Sequence, residues 1–244
     1  MREYARLDKR IIAVFQSPND NFQTNRFRNW TPDFERYILR LMFYLEPEDW
    51  LSMLDADDDD EPDFLEEMLR FAADERLDYV ACRSNFIHEP DGTAHNRVVL
   101  EHDIVAAGEG FGTLFPEYFR YICVYWAKLQ KGSLFRRINR ANYDHWMDGT
   151  GLTHRTDTAM ELYLVQYAQR LGVRAKLLHN YHVYPFSHSR EAAVESQLRE
   201  NDVMVELYRE LLRGKVGCVS EENERYIQEI HARARRTLME NGRL

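Results

Sequence analysis

Five aspartates and a glutamate fall within the seven positions Asp55 to Glu61, directly after the short apolar run from Trp50 to Leu54. That run has no helical period and turn chemistry follows it at once, so it predicts a buried strand. A block of like charge at a strand end has to be relieved by solvent or by a cation. Hard oxygen donors in such a place suit Mg²⁺ or Mn²⁺, which usually keep substrate phosphates among their other ligands. The plainer reading is a solvated acidic turn ahead of a helix capped near Asp60 and Pro62. The glycine and distal glutamate of an EF-hand loop are missing, which sets a Ca²⁺ loop aside.

At 244 residues and 44% hydrophobic, the chain is long enough for one large domain or two small ones. Its net charge of −9 argues against a nucleic-acid surface, which is normally basic. Cys82, Cys123 and Cys218 are far apart and lack CxxC spacing, so neither a disulfide framework nor a zinc site is indicated. No apolar run approaches the roughly 18 residues of a membrane span, and the amino terminus shows no signal-peptide pattern. The expected setting is cytoplasmic, with at most a peripheral membrane contact.

The chain alternates strand and helix signals. Ile11–Phe15 predicts a strand, and Thr31-Pro32 opens a helix whose apolar residues run from Phe34 to Leu45. Phe64, Leu65, Met68, Leu69 and Ala72 mark the apolar stripe of a second helix. Strands are expected at Tyr79–Cys82 and Val98–Val105, parted by a turn over Glu89–Gly92. A strand, a helix and a strand in sequence predict a parallel crossover, and ligands of such sheets bind beyond the strands' carboxyl ends. Asp55 and Asp57 sit at such an end. Further on, Phe115–Leu129 reads as a helix, Asp157–Leu171 as a helix closed by Gly172, and Arg174–Leu178 as a short strand. Two charged amphipathic helices with a break over Arg213–Gly217 finish the chain.

Four segments in order resemble a family-2 glycosyltransferase, an inverting enzyme with the GT-A fold. Leu54-Asp55-Ala56-Asp57-Asp58, followed by Pro62 and Phe64-Leu65, is similar to the family's strand-DxDD-x-Pro-helix signature. Asn21 precedes the pair Arg28-Asn29 at the family's spacing. Trp126-Ala-Lys128-Leu129, with Ser133-Leu134-Phe135 after it, resembles the segment lining the acceptor side. Thr156-Asp157-Thr158 and then Tyr181-His182-Val183-Tyr184 with Ser187 resemble the family's Glu-Asp helix and Tyr-x-Tyr-Ser close.

The resemblance implies an α/β, GT-A-like (Rossmann-like) fold. Its sheet would be mixed and mainly parallel, flanked by helices, with a helical carboxyl-terminal appendage. The glycosyltransferase domain would span 1–188 and the appendage 189–244. The reaction implied is metal-assisted transfer of a sugar from a nucleotide-diphosphate sugar to a glycan, lipid-linked or other hydroxyl acceptor. Asp57 would be the direct ligand of Mn²⁺ or Mg²⁺, Asp55 a further ligand or the partner of the donor ribose, and Asp58 their support. Asp157, where a helix dipole helps keep it ionised, would be the base. Arg28, Asn29 and Lys128 would meet the donor phosphates, and Trp126 the acceptor. His182 or His188 would add a metal ligand. The plainer readings are a helix cap for Asp157, surface ion pairs for Arg28 and Lys128, core packing for Trp126 and a packing role for the histidines.

Four departures accompany the match. The family's first βα unit, with its Asp-Asp-Gly-Ser strand end, has no counterpart before Ile11, and phenylalanine follows Asn21 where glycine is expected. Thr156 stands in place of glutamate, and an added helix lengthens 29–55. A sheet without that unit would expose an edge. Self-association, or a partner chain supplying the missing half, is therefore expected. A catalytically inactive glycosyltransferase-like binding or assembly module is the alternative function.

Overall fold

The computed structural model describes residues 45–55, 57–89, 91–95, 100–124, 126–137, 152, 155–184 and 194–241. The strand at Ile11–Phe15, the helix from Thr31, Arg28, Asn29 and His188 lie outside them. In chain order the elements are β1 (Trp50–Leu51), β2 (Asp59–Asp60), α1 (Phe64–Asp74), β3 (Tyr79–His88), β4 (Thr93–His95) and β5 (Ile104–Ala107). Then come α2 (Gly110–Thr113), α3 (Phe115–Ile122), β6 (Lys128–Lys131), α4 (Gly132–Phe135), α5 (Thr156–Tyr167), β7 (Arg170–Val183), α6 (Val194–Val216) and α7 (Glu221–Asn241).

The strands form one mixed sheet in the order β1-β6-β3-β7-β2, with β4 beside β3 and β5 beside β7. β3 and β7 pair in parallel over their long shared length, and the other pairings among the described residues are antiparallel. β1 and β3 both run antiparallel to β6, so they are parallel to one another, as a strand–helix–strand crossover requires. They are not neighbours, because β6 is inserted between them.

Helices cover both faces, giving the mixed α/β architecture that the sequence predicts. On one face Phe64, Met68, Phe71 and Ala72 of α1 pack over Val80, Cys82, Leu129 and Leu178. Leu65 and Leu69 stand out at 56% and 40% exposed, so the buried stripe of α1 is rotated from the one expected. On the other face α3 and α5 share a larger core with Met204, Leu207, Leu211 and Ile227 of the two final helices. The helical carboxyl-terminal part is thus continuous with the main core.

Several boundaries differ from the sequence reading. The helix expected over Phe115–Leu129 ends at Ile122, and Lys128-Leu129 belong to β6. Between them Ala127 takes a left-handed backbone, φ 59°, which turns the chain back onto the sheet. The helix expected to reach Leu171 ends at Tyr167, and Leu171 and Gly172 are inside β7. Gly172 is there for closeness rather than as a cap: a Cβ on it would lie 2.3 Å from Leu77 Cδ1 and 2.7 Å from Phe71 Cε1. β5 begins at Ile104, later than expected, and the break between the last helices falls at 217–220.

Candidate active site

The site grows from the end of β1. Trp50 and Leu51 are held by β6 opposite Lys131 and Gln130, after which the chain leaves the sheet. It turns where the Asp58 amide donates to the Asp55 carbonyl at 3.2 Å. The turn brings one carboxylate oxygen each from Asp55, Asp57 and Asp58 within 4.8 Å of one another. Asp57 is exposed, whereas the Asp58 side chain is only 1% exposed and its Oδ2 is buried without a hydrogen-bond partner among the described residues.

The rest of the acidic run does different work. β2 pairs antiparallel with β7, setting Asp59 opposite Asn180 and Asp60 opposite His179. The Asp59 carboxylate accepts from Asn180 Nδ2 at 2.8 Å and meets His182 Nε2 at 2.7 Å. Asp60 Oδ1 meets His179 Nδ1 at 2.8 Å, and Glu61 accepts from Asn180 at 3.0 Å. The hydrogen bond from Asn180, then that of His182, holds the Asp59 carboxyl below the usual range. Asp59, Asp60 and Glu61 therefore fasten the run to β7, and Asp55, Asp57 and Asp58 are left converging.

A histidine that the sequence reading did not single out closes this arrangement from below. His179 is fully buried, with Nε2 3.6 Å from Asp58 Oδ2, beyond hydrogen-bond length but within reach of charge attraction. Burial pulls the imidazole pKa down, and the carboxylates of Asp58 and Asp60 more than offset it, so the net shift is upward. Trp126 stacks on His179 and on Tyr181, each at 4.9 Å between centroids. Asp58 of the converging set, together with Asp60, thus meets a protonatable ring backed by an indole. Such a set of hard oxygens fits Mg²⁺ or Mn²⁺ better than a soft-ligand metal.

No protein-family model and no curated protein matches the chain. Among solved structures it is similar to S. aureus TarS 1–349 in complex with UDP-GlcNAc, at 15% identity and a TM-score of 0.49. That overlap covers 79% of this chain and 49% of the other, so the chain spans about half its length. A second structure of S. aureus TarS overlaps at 12% identity and a TM-score of 0.46, covering 85% of this chain and 41% of that one. For the 1–349 complex with UDP the values are 13% and 0.43, with 83% and 68% covered.

Of the residues predicted from sequence, Asp55 and Asp57 come together with Asp58, and Trp126 lies one ring away beside His179. His182 stands next to this set but outside it. Its Nδ1 meets Glu89 at 3.0 Å and its Nε2 meets Asp59, bonds that raise its pKa, Asp59 contributing first. Its amide donates to Asp58 Oδ1 at 2.9 Å, so its backbone positions a carboxylate of the converging set. Lys128 is buried, and its Nζ donates to the Trp126 carbonyl at 3.2 Å. Asp157 is in the first turn of α5, and the next residue ties that turn to the Trp126 side: Thr158 Oγ1 donates to the Cys123 carbonyl at 2.7 Å.

Proposed function

We propose that this chain is a glycosyltransferase domain that moves a sugar from a nucleotide-diphosphate donor to a hydroxyl acceptor, in a cytoplasmic setting, by single inverting displacement. The observation that carries the reading is the convergence of Asp55, Asp57 and Asp58 at the end of β1, with one buried oxygen, Asp58 Oδ2, lacking a hydrogen-bond partner among the described residues. Asp57 and Asp55 would hold Mn²⁺ or Mg²⁺, and Asp58, fixed by the His182 amide, keeps the turn in shape. A divalent cation there supplies the positive charge that a departing nucleoside diphosphate needs.

The remaining chemistry belongs to the chain. Asp157 takes the proton of the acceptor hydroxyl as its oxygen bonds to the anomeric carbon, while the bond to the diphosphate breaks and its electrons leave with the phosphate. One base on the acceptor side suffices, and attack opposite the leaving group inverts the anomeric centre. Trp126, immobilised against His179 and Tyr181, offers a flat apolar surface to the acceptor. Arg28 and Asn29 complete the reading on the donor phosphates.

Calorimetric titration of UDP, then GDP, with and without Mn²⁺ tests this, with Asp57→Ala as control. Binding that needs both the cation and Asp57 is the expected result. Absence of any cation-dependent nucleotide binding would sink the reading and leave the non-catalytic module in its place.

A further inference from the structure

A cavity of about 400 Å³ opens beside Trp126, bounded by β3, the end of α3 and the turn leading into β6. Neither the acidic trio nor His179 lines it. Its walls combine two kinds of surface. One is aromatic: Trp126 and Tyr181, with Phe86 edge-on to both at 6.2 and 5.5 Å. The other is cationic, made by Arg83, Arg120 and the Tyr121 hydroxyl.

The cationic wall has donors to spare. In a chain of net charge −9, neither Arg83 nor Arg120 lies within ion-pair distance of a carboxylate of a described residue. Arg83 Nη1 donates to the Ala175 carbonyl at 3.0 Å, which fixes the guanidinium, while its Nε is buried without a partner among the described residues. The Tyr121 hydroxyl is likewise buried and without a partner among the described residues; burial raises its pKa, and the charges of Arg83 and Arg120 pull the other way. Buried donors left unmade cost stability, so a protein keeps them where a ligand completes them.

The local backbone is shaped to present these groups. The β3–β7 register slips on both sides of Arg83, between Cys82 and Arg83 and between Arg83 and Ser84. Such irregularities re-aim side chains and recur beside binding sites. The left-handed Ala127 is locked in turn, its carbonyl accepting the Cys82 amide at 3.0 Å.

We propose that this cavity is the acceptor subsite and that the acceptor carries an oxyanion, a phosphate or a carboxylate, bound by Arg83, Arg120 and Tyr121 while its sugar or polyol portion lies against Trp126 and Tyr181. The assignment as acceptor subsite rests on the glycosyltransferase reading; the anion-binding chemistry does not. A planar fork of donors and a fixed hydroxyl suit an oxyanion, and the aromatic wall suits the C–H face of the attached ring.

The test compares glucose 6-phosphate, glucuronate and glucose as calorimetric ligands of the full chain, of Arg120→Gln and of Tyr121→Phe, with Mn²⁺-dependent UDP binding measured on the same samples. Arg120 is exposed and Tyr121→Phe removes one oxygen, so both variants keep the fold, which circular dichroism checks. The charged sugars are expected to bind at least about tenfold more tightly than glucose. Arg120→Gln should remove most of that margin and Tyr121→Phe part of it, with UDP affinity unchanged. Whichever charged sugar binds more tightly names the oxyanion. Equal binding of glucose, or a margin that survives Arg120→Gln, overturns the proposal. Loss of UDP affinity in these variants also overturns it, by placing the arginines on the donor diphosphate. If the margin stands while wild-type UDP binding is absent, the enzyme reading falls and the oxyanion site remains.

Discussion

Asp58 Oδ2 and His179 Nε2 face each other at 3.6 Å, both side chains essentially out of solvent and neither atom hydrogen-bonded to a described residue. Removing one member of such a pair strands the other, a loss of about 3–5 kcal/mol where the charge is fully buried. His179→Ala also takes away the ring beneath Trp126, so it is expected to lower unfolding stability by about 3 kcal/mol or more. Combining it with Asp58→Ala separates contact from context: urea unfolding of the four proteins should give a coupling of about 1–3 kcal/mol. Simple additivity would mean that the two groups do not recognise each other.

A second buried acid holds two elements of the fold together. Glu161 on α5 is wholly buried and accepts from the Tyr79 hydroxyl at 2.5 Å and from Gln130 Nε2 at 2.8 and 2.6 Å. Burial, and then the Glu161 charge, push the Tyr79 pKa well up, so the phenol stays a donor at any ordinary pH. Glu161→Leu abandons both donors in the core and should cost about 3–5 kcal/mol in denaturant unfolding. Glu161→Gln keeps the shape and an acceptor, and should cost less than half as much. Equal costs would show that volume, not hydrogen bonding, matters at this position.

That network also explains why part of the fold could not be read from the sequence. β6 buries Lys128, Leu129 and Gln130 in succession, two of them polar, so its sequence shows neither the alternation nor the apolar run of a strand. The aromatic run before it continues a helical period past the real helix end. The acidic trio was legible because carboxylates crowded after an apolar run admit few explanations. Which three of the six acids converge was legible only through the family resemblance, because the convergence depends on the β2–β7 register, and the strand expected over Arg174–Leu178 stops short of the β7 residues that hold Asp59 and Asp60. His179 falls one residue past that expected strand, in the stretch of β7 that carried no strand signal. Arg83 and Arg120 are ordinary surface residues by sequence, and only the backbone slip around Arg83 gives them a common cavity.

Gly132 predicts how the acidic turn depends on a distant contact. A Cβ at Gly132 would lie 2.1 Å from the Glu46 carbonyl oxygen, a backbone atom that cannot rotate out of the way. The same segment is latched by the Gly132 amide on the Asp49 carbonyl at 2.7 Å and the Ser133 amide on the Pro47 carbonyl at 3.1 Å. Residues 45–49 lead straight into β1 and the acidic turn. Gly132→Ala is therefore expected to cost about 1–3 kcal/mol by overpacking, and to weaken Mn²⁺ binding without touching a ligand. An unfolding curve that overlays the wild type would show that this segment is not seated on α4.

Lys215 supplies a pH dependence of known direction. Its ammonium, carried on α6, donates to the Ala168 carbonyl and sits 4.2 Å from the centre of the Phe111 ring. Burial lowers its pKa from 10.5 to about 8, with Asp78 pulling the other way and Arg137 adding to the drop. Below about pH 8 the folded protein carries a charge that burial disfavours. Between about pH 8 and 10.5 the folded state has released that proton while the unfolded chain still holds it. The unfolded state then binds more protons, so this group's contribution to stability rises with pH across that window. Lys215→Met lacks the effect. The difference in unfolding free energy, wild type minus Lys215→Met, should therefore move in favour of the wild type between pH 7 and pH 10 in paired urea titrations. A difference that stays flat, or moves the other way, would mean that the carbonyl and the ring hold the ammonium charged against its burial.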